Sequence, residues 1–165
     1  MRFAATVICA FGIAGCTGGT PPDGDGRATV TSVVDGDTID VEIGGRPERV
    51  RLIGIDTPET KKPNSPVECF GPEASAFTAS LLPTGTEVLI ERDIVGRDDY
   101  GRLLGYVHLV GDDGRATTFV NLEIVERGFA APLTIEPNST FAQDFAAAAR
   151  RAEHADLGMW ADCSS

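Results

Sequence analysis

Three short segments of this chain carry residues whose types and spacing could do chemistry: Asp35-Gly-Asp-Thr38, Arg51-Leu-Ile-Gly-Ile-Asp-Thr-Pro-Glu59 and Tyr100-Gly-Arg102. They bring carboxylates at Asp35, Asp37, Asp56 and Glu59 into register with guanidinium groups at Arg51 and Arg102. Carboxylates hold hard cations and take protons from water, and arginines neutralise charge that builds on phosphoryl oxygens. The combination suits an enzyme that holds a hard cation against a phosphodiester. Each segment alone has an ordinary explanation: Asp-Gly is a common turn pair, Arg51 could be an outward-facing strand residue, Glu59 a solvated loop acid and Arg102 part of a hairpin turn. Their joint occurrence within strand-like sequence is what marks a site. A phosphatase pattern of the Asp-x-Asp-x-Thr kind does not fit, because Thr38 comes one position early.

The elements that would position these residues are legible from periodicity. β-Branched or alternating runs predict strands over residues 29–34, 38–43, 49–55, 87–91 and 103–110, with the register of 49–55 left open. Helices are predicted over 72–82, with Pro72 in the first turn and Pro83 just beyond, and over 121–127, closed by Gly128. A last helix starts from a cap at Asn138 or Ser139 and runs to about residue 156. Three strands, a helix, two strands and two helices predict an α+β fold, a small closed antiparallel barrel of five strands with helices packed on it. Asp37, at the turn after the first strand, and Asp56, at the end of the third, project from neighbouring strand ends and can meet at one point. Hard oxygen ligands of this kind suit Ca²⁺ or Mg²⁺.

At 165 residues the chain is expected to form one domain with an appended end. Arg2 and the apolar run that follows it read as a signal segment over 1–15, too short for a stable membrane anchor. The small residues before Cys16 resemble a bacterial lipobox, in which case the mature chain begins at a lipidated Cys16; cleavage of an ordinary secretory signal nearby is the alternative. Both readings imply export. Residues 16–26, rich in Gly, Pro and Asp, read as a flexible tether; their Asp23-Gly-Asp-Gly26 mimics only the start of a calcium loop. The folded domain is expected over 27–165. Cys9 leaves with the signal and Cys16 is the lipid site, so Cys69 and Cys163 remain as a pair, and in an oxidising compartment they read as a disulfide. Two lone cysteines without clustered histidines make a poor zinc site, and His108 and His154 are read as structural or solvated.

The formal net charge of −11 argues against a polyanion held by a global positive field. Any nucleic-acid chemistry must rest on a local site. With one Trp and two Tyr, stacking on bases would be sparse.

Val34-Asp-Gly-Asp-Thr38, Arg51 through Glu59, Glu68-Cys-Phe-Gly-Pro-Glu-Ala74, Asp98-Asp-Tyr-Gly-Arg102 and the stretch from Asn121 to Ala130 together resemble the staphylococcal nuclease (thermonuclease) family, over about residues 28–160. The resemblance implies an OB-fold barrel with three helices and Ca²⁺-dependent hydrolysis of DNA and RNA that leaves 3′-phosphate ends. It implies that Asp37 and Asp56 bind Ca²⁺ through their carboxylates and Thr57 through its carbonyl. Glu59 would be the general base, Arg51 and Arg102 the phosphate clamp, Tyr100 a donor to a phosphate oxygen and Asp35 an outer-shell residue that orders the metal site. Asp99 stands where the family often has lysine, and 132–136 carries no aromatic where well-known members place tyrosines. Both departures bear on substrate grip, which Lys61 and Lys62 could partly restore. A non-catalytic nucleic-acid or calcium-binding OB module on the cell envelope is the competing expectation. The protein is expected to be a monomer.

Overall fold

Alternating sequence builds a sheet that closes on itself. The computed structural model describes residues 26–61 and 66–163. The signal segment, Cys16, nearly all of the tether, and Lys62 lie outside the described residues. The strands of the barrel are β1 (Arg27–Asp35), β2 (Thr38–Ile43), β3 (Arg46–Leu52), β5 (Glu87–Glu91) and β6 (Leu103–Val110). They run antiparallel in the order β3-β2-β1-β5-β6, and a parallel pairing of β3 with β6 closes the ring. This is the OB-fold that the strand order predicts. Its interior is filled by Val30, Ile39, Val41, Val50, Leu52, Val88 and Val107, all wholly buried.

Helix α1 (Gly71–Leu81) leads into β5. A short strand β7 (Ala116–Phe119) extends the sheet beyond β6 and runs straight into α2 (Val120–Glu126). Helix α3 (Ala142–His154) buries Phe145, Ala148, Ala149 and Ala152, the i, i+3, i+4, i+7 stripe that an alanine-rich amphipathic helix presents to a core. A single closing turn, α4 (Met159–Asp162), ends at Cys163, which is bonded to Cys69 across 94 residues of chain. The disulfide thus joins the segment before α1 to the C-terminal end, as the cysteine sorting predicts.

The structure corrects the predicted third strand. It does not run through residue 55. After β3 the chain turns at Ile53, and β4 (Gly54–Asp56) leaves the barrel to pair with β8 (Ala131–Leu133) in a separate two-stranded sheet. Gly54 makes this possible: its φ is +81°, and a Cβ there would lie 2.2 Å from the ring of Phe145. The break also explains why Leu52 and Ile53, adjacent in sequence, are both buried. The predicted cap of the last helix is corrected as well. Asn138 and Ser139 precede α3 by several residues, and the Asn138 side chain instead exchanges hydrogen bonds with the backbone of Val95, at 2.8 and 2.9 Å. Strands β7 and β8 and the turn α4, at three or four residues each, are too short for periodicity to reveal.

Candidate active site

Arg51 sits near the end of β3, and the register opposes it to Thr38 on β2, beside Asp37. Its guanidinium bridges two carboxylates from different segments: Nη2 is 3.0 Å from Asp37 Oδ2 and 2.9 Å from Asp56 Oδ1. Nη1 donates to the carbonyls of Leu52, at the end of β3, and Ile55, in β4, and so spans the β3–β4 break. A strand arginine facing a crowded surface is costly unless paired, and here the break supplies the pairs.

Asp37 is held tightly. Its Oδ2 accepts from the Thr57 amide at 3.1 Å and the Thr57 hydroxyl at 3.2 Å, and its Oδ1 accepts from the Thr38 hydroxyl at 3.0 Å. Gly36 allows this approach, since a Cβ there would lie within 2.8 Å of the Thr57 side chain. Asp56 is more open. Partial burial raises its carboxyl above the ordinary value; Arg51 opposes the rise, and the charges of Asp37 and Glu68 add to it. Asp35 behaves in the opposite sense. Burial would raise it, but hydrogen bonding with the Glu59 carboxyl group, together with donation from the Gly36 amide and from Thr60, outweighs burial and holds it below the ordinary range.

Glu59 is placed by β4 and by the chain that follows Pro58. Its carboxyl meets that of Asp35, and its Oε1 accepts the Lys61 amide at 2.6 Å. Arg102 immediately precedes β6, which lies next to β3 in the barrel. Its Nε donates to Asp98 Oδ2 at 2.7 Å, and its guanidinium lies 5.5 Å from the centre of the Tyr100 ring. Asp98 also accepts the amides of Tyr100 and Arg102. Burial raises the Asp98 carboxyl, but its bonds to Arg102 and Tyr100 win and hold it low.

Arg51, Tyr100 and Arg102 line one cleft of about 410 Å³, together with the aliphatic side chains of Val95, Leu133 and Ile135. The structure therefore brings Asp37, Asp56 and Thr57 together around Arg51, pairs Asp35 with Glu59, and sets Arg102 and Tyr100 across the cleft. Among the described residues, no three His, Cys, Asp or Glu side chains surround a single metal point. Two carboxylates do converge. Oxygens of Asp37 and Asp56 both reach one Arg51 nitrogen, at 3.0 and 2.9 Å, so the two carboxylates face a common point. The donor set of two carboxylates and a neighbouring carbonyl, all oxygen, fits Ca²⁺ completed by water.

Three positioning residues are absent from the sequence reading of the site. Buried Asn121 donates to the Ile53 carbonyl at 2.9 Å and accepts the Val107 amide at 2.9 Å, so it pins the β3–β4 break to β6. Asp98 anchors the Tyr100–Arg102 turn. Thr60 fixes Asp35 through its hydroxyl at 2.9 Å. Asn121 stood inside a recognised motif, and its buried role needed the fold to be seen.

A barrel of this topology with an arginine clasped between two strand-end aspartates defines a class, and sequence comparison identifies it. The family described as Staphylococcal nuclease homologue matches residues 49–162. A thermonuclease of Staphylococcus intermedius is 41% identical over 131 residues, covering 79% of this chain and 74% of the relative. A thermonuclease of Staphylococcus hyicus is 37% identical over 133 residues, covering 81% and 75%. The SPbeta prophage-derived endonuclease YokF of Bacillus subtilis is 37% identical over 133 residues, covering 80% of this chain and 43% of its own. The chain belongs to the staphylococcal nuclease family.

Proposed function

We propose that the protein is an exported, calcium-dependent endonuclease that hydrolyses phosphodiester bonds of DNA and RNA and leaves 3′-phosphate ends. The observation that carries this reading is the Arg51 bridge between Asp37 and Asp56, with Arg102 lining the same cleft. The thermonuclease and endonuclease relatives support it. Asp37 and Asp56, with the Thr57 carbonyl, would hold the cation. Bound Ca²⁺ would polarise a phosphoryl oxygen and order the attacking water. Glu59 takes the proton from that water as its oxygen bonds to phosphorus and the bond to the 5′-oxygen breaks, the 5′-oxygen leaving as a hydroxyl with a proton from solvent. Arg51 and Arg102 balance the charge that gathers on the phosphoryl oxygens, a task for which a planar fork is better shaped than an ammonium. Tyr100 donates to a phosphate oxygen, and Asp35 steadies the acidic side of the site.

The purified protein is expected to degrade single-stranded DNA when Ca²⁺ is present and to stop when it is chelated. Activity that is missing, or that survives Arg51→Ala together with Glu59→Ala, sinks the enzymatic reading. One observation favours a non-catalytic binding module instead: the Arg51 guanidinium already serves Asp37, Asp56 and two carbonyls. Tight binding of single-stranded DNA without cleavage is the result that selects that module. We also propose that the protein acts as a monomer at the cell envelope through a lipid on Cys16. Palmitate labelling that Cys16→Ala abolishes is the expected outcome, and an unlabelled wild-type protein selects a secreted form. A mass in solution above that of one chain would overturn the monomer.

A further inference from the structure

The disulfide reaches the residues that frame Glu59. Glu68, the neighbour of Cys69, clasps Glu59 twice: its Oε2 accepts the Glu59 amide at 3.0 Å, and its own amide donates to the Glu59 carbonyl at 2.9 Å. Gly71, the first residue of α1, packs so closely that a Cβ would lie 3.1 Å from the Glu59 carbonyl oxygen and 3.2 Å from that of Pro58. One stretch, residues 68–71, therefore backs the Glu59 segment from below. The same helix grips the other acidic half of the site, where the Thr78 hydroxyl donates to the Gly36 carbonyl at 2.6 Å, between Asp35 and Asp37.

What holds this stretch is limited. Phe70 has φ +67°, costly for a residue with a side chain, and α1 has no side-chain cap. Stacking of Phe70 and Phe77 on Phe129, at 5.3 and 4.1 Å, secures one side. The covalent bond from Cys69 to Cys163 secures the other.

We propose that Glu68 is a positioning residue for Glu59, and that the Cys69–Cys163 disulfide acts on the reaction through it by holding residues 68–71 beneath the Glu59 segment. The inference rests on the nuclease reading, in which Glu59 handles the proton of the attacking water. A carboxylate displaced by a fraction of an ångström loses rate rather than substrate affinity. The charge of Glu68 also reaches Asp56, so a charge effect and a positioning effect must be told apart.

The test compares kcat and KM on single-stranded DNA with saturating Ca²⁺ for the wild type, Glu68→Ala, Glu68→Gln, Cys69→Ala with Cys163→Ala, and the triple variant. Glu68→Ala is expected to lower kcat about tenfold with KM nearly unchanged. Glu68→Gln keeps an oxygen acceptor and is expected to recover most of the loss. Removing the disulfide is expected to lower kcat to a similar degree, and the triple variant to fall no further, because residues that act as one unit are not additive. Unchanged kcat in Glu68→Ala, a glutamine variant as poor as alanine, or multiplicative losses in the triple variant would each overturn the proposal. Amide exchange at Glu59 gives a readout independent of catalysis: protection is expected to drop in Glu68→Ala and in the cysteine variant but not in Glu68→Gln. A wild-type protein that never cleaves overturns the nuclease reading, whereas unchanged Glu59 protection overturns the clasp.

Discussion

Arg51 carries two demands at once. It neutralises a pair of carboxylates that would repel each other, and it donates to the carbonyls of Leu52 and Ile55 on the two sides of the β3–β4 break. Its side chain is only 14% exposed and that of Asp37 11%, so the pair is shielded from solvent screening. Lysine keeps the charge but brings a single point donor that cannot face all four acceptors. Arg51→Lys is therefore expected to lower kcat/KM on single-stranded DNA by about a hundredfold or more. A variant that stays within a few-fold of wild type would show that charge alone suffices. The residue's place in a candidate site was legible in the sequence. Its clasp on Asp37 and Asp56 was not, because it depends on β2–β3 register and on a chain break that a continuous alternating pattern conceals.

At the scale of elements, β5, β6 and α3 are tied together by residues that are silent in the sequence. Asp93, in the turn after β5, accepts the Tyr106 hydroxyl at 2.8 Å, the Thr140 amide at 3.1 Å and the Thr140 hydroxyl at 3.0 Å. It thereby ties the β5 end of the barrel to the entry of α3. Burial would raise its carboxyl, but the bonds from Thr140, Tyr106 and Ile94 hold it below the ordinary value, and burial next to that carboxylate pushes the Tyr106 phenol up. A carboxyl lowered by folding stabilises the fold above its unfolded value and loses that stabilisation as pH drops through the lower folded value. Asp93→Asn is thus expected to cost about 1–2 kcal/mol at pH 7, the low end for bonds to a charged acceptor at a partly exposed site. The gap to wild type is expected to narrow as pH falls below 3.8. Urea unfolding at several pH values measures this, and a gap that persists into strong acid would contradict it. The disulfide works on the same scale: closing a loop of 94 residues stabilises by up to about 4–5 kcal/mol in the chain-entropy view.

For the whole molecule, charge and site pull in opposite directions. A chain of net charge −11 is repelled by a polyanion, and the cleft wall built from Val95, Leu133 and Ile135 offers aliphatic contact in place of aromatic stacking. Three arginines line the cleft, Arg51, Arg97 and Arg102; Arg97 is taken up by Glu48 and the Gly101 carbonyl, which leaves Arg51 and Arg102 to meet phosphates and few counterions to be released on binding. With about two neutralised phosphates, KM on single-stranded DNA is expected to rise less than about tenfold between 50 and 200 mM salt. A steeper rise, measured by steady-state kinetics at fixed Ca²⁺, would reveal a wider cationic footprint than these two residues.

The five-strand order, the three main helices, the cysteine pair and the candidate-site residues Asp35, Asp37, Arg51, Asp56, Glu59 and Arg102 could be read from the sequence, because each rests on local pattern: alternation, turn chemistry, or residues close together in one motif. What only the tertiary structure decided is which groups meet. Asp37 with Asp56 through Arg51, Asp35 with Glu59, Asn138 with Val95 and Glu68 with Glu59 are partnerships set by strand register and by the turn at Gly54. They lie beyond sequence alone for a physical reason. Residue type determines what a group can do, but a hydrogen bond forms only where closure of the barrel brings donor and acceptor within about 3 Å.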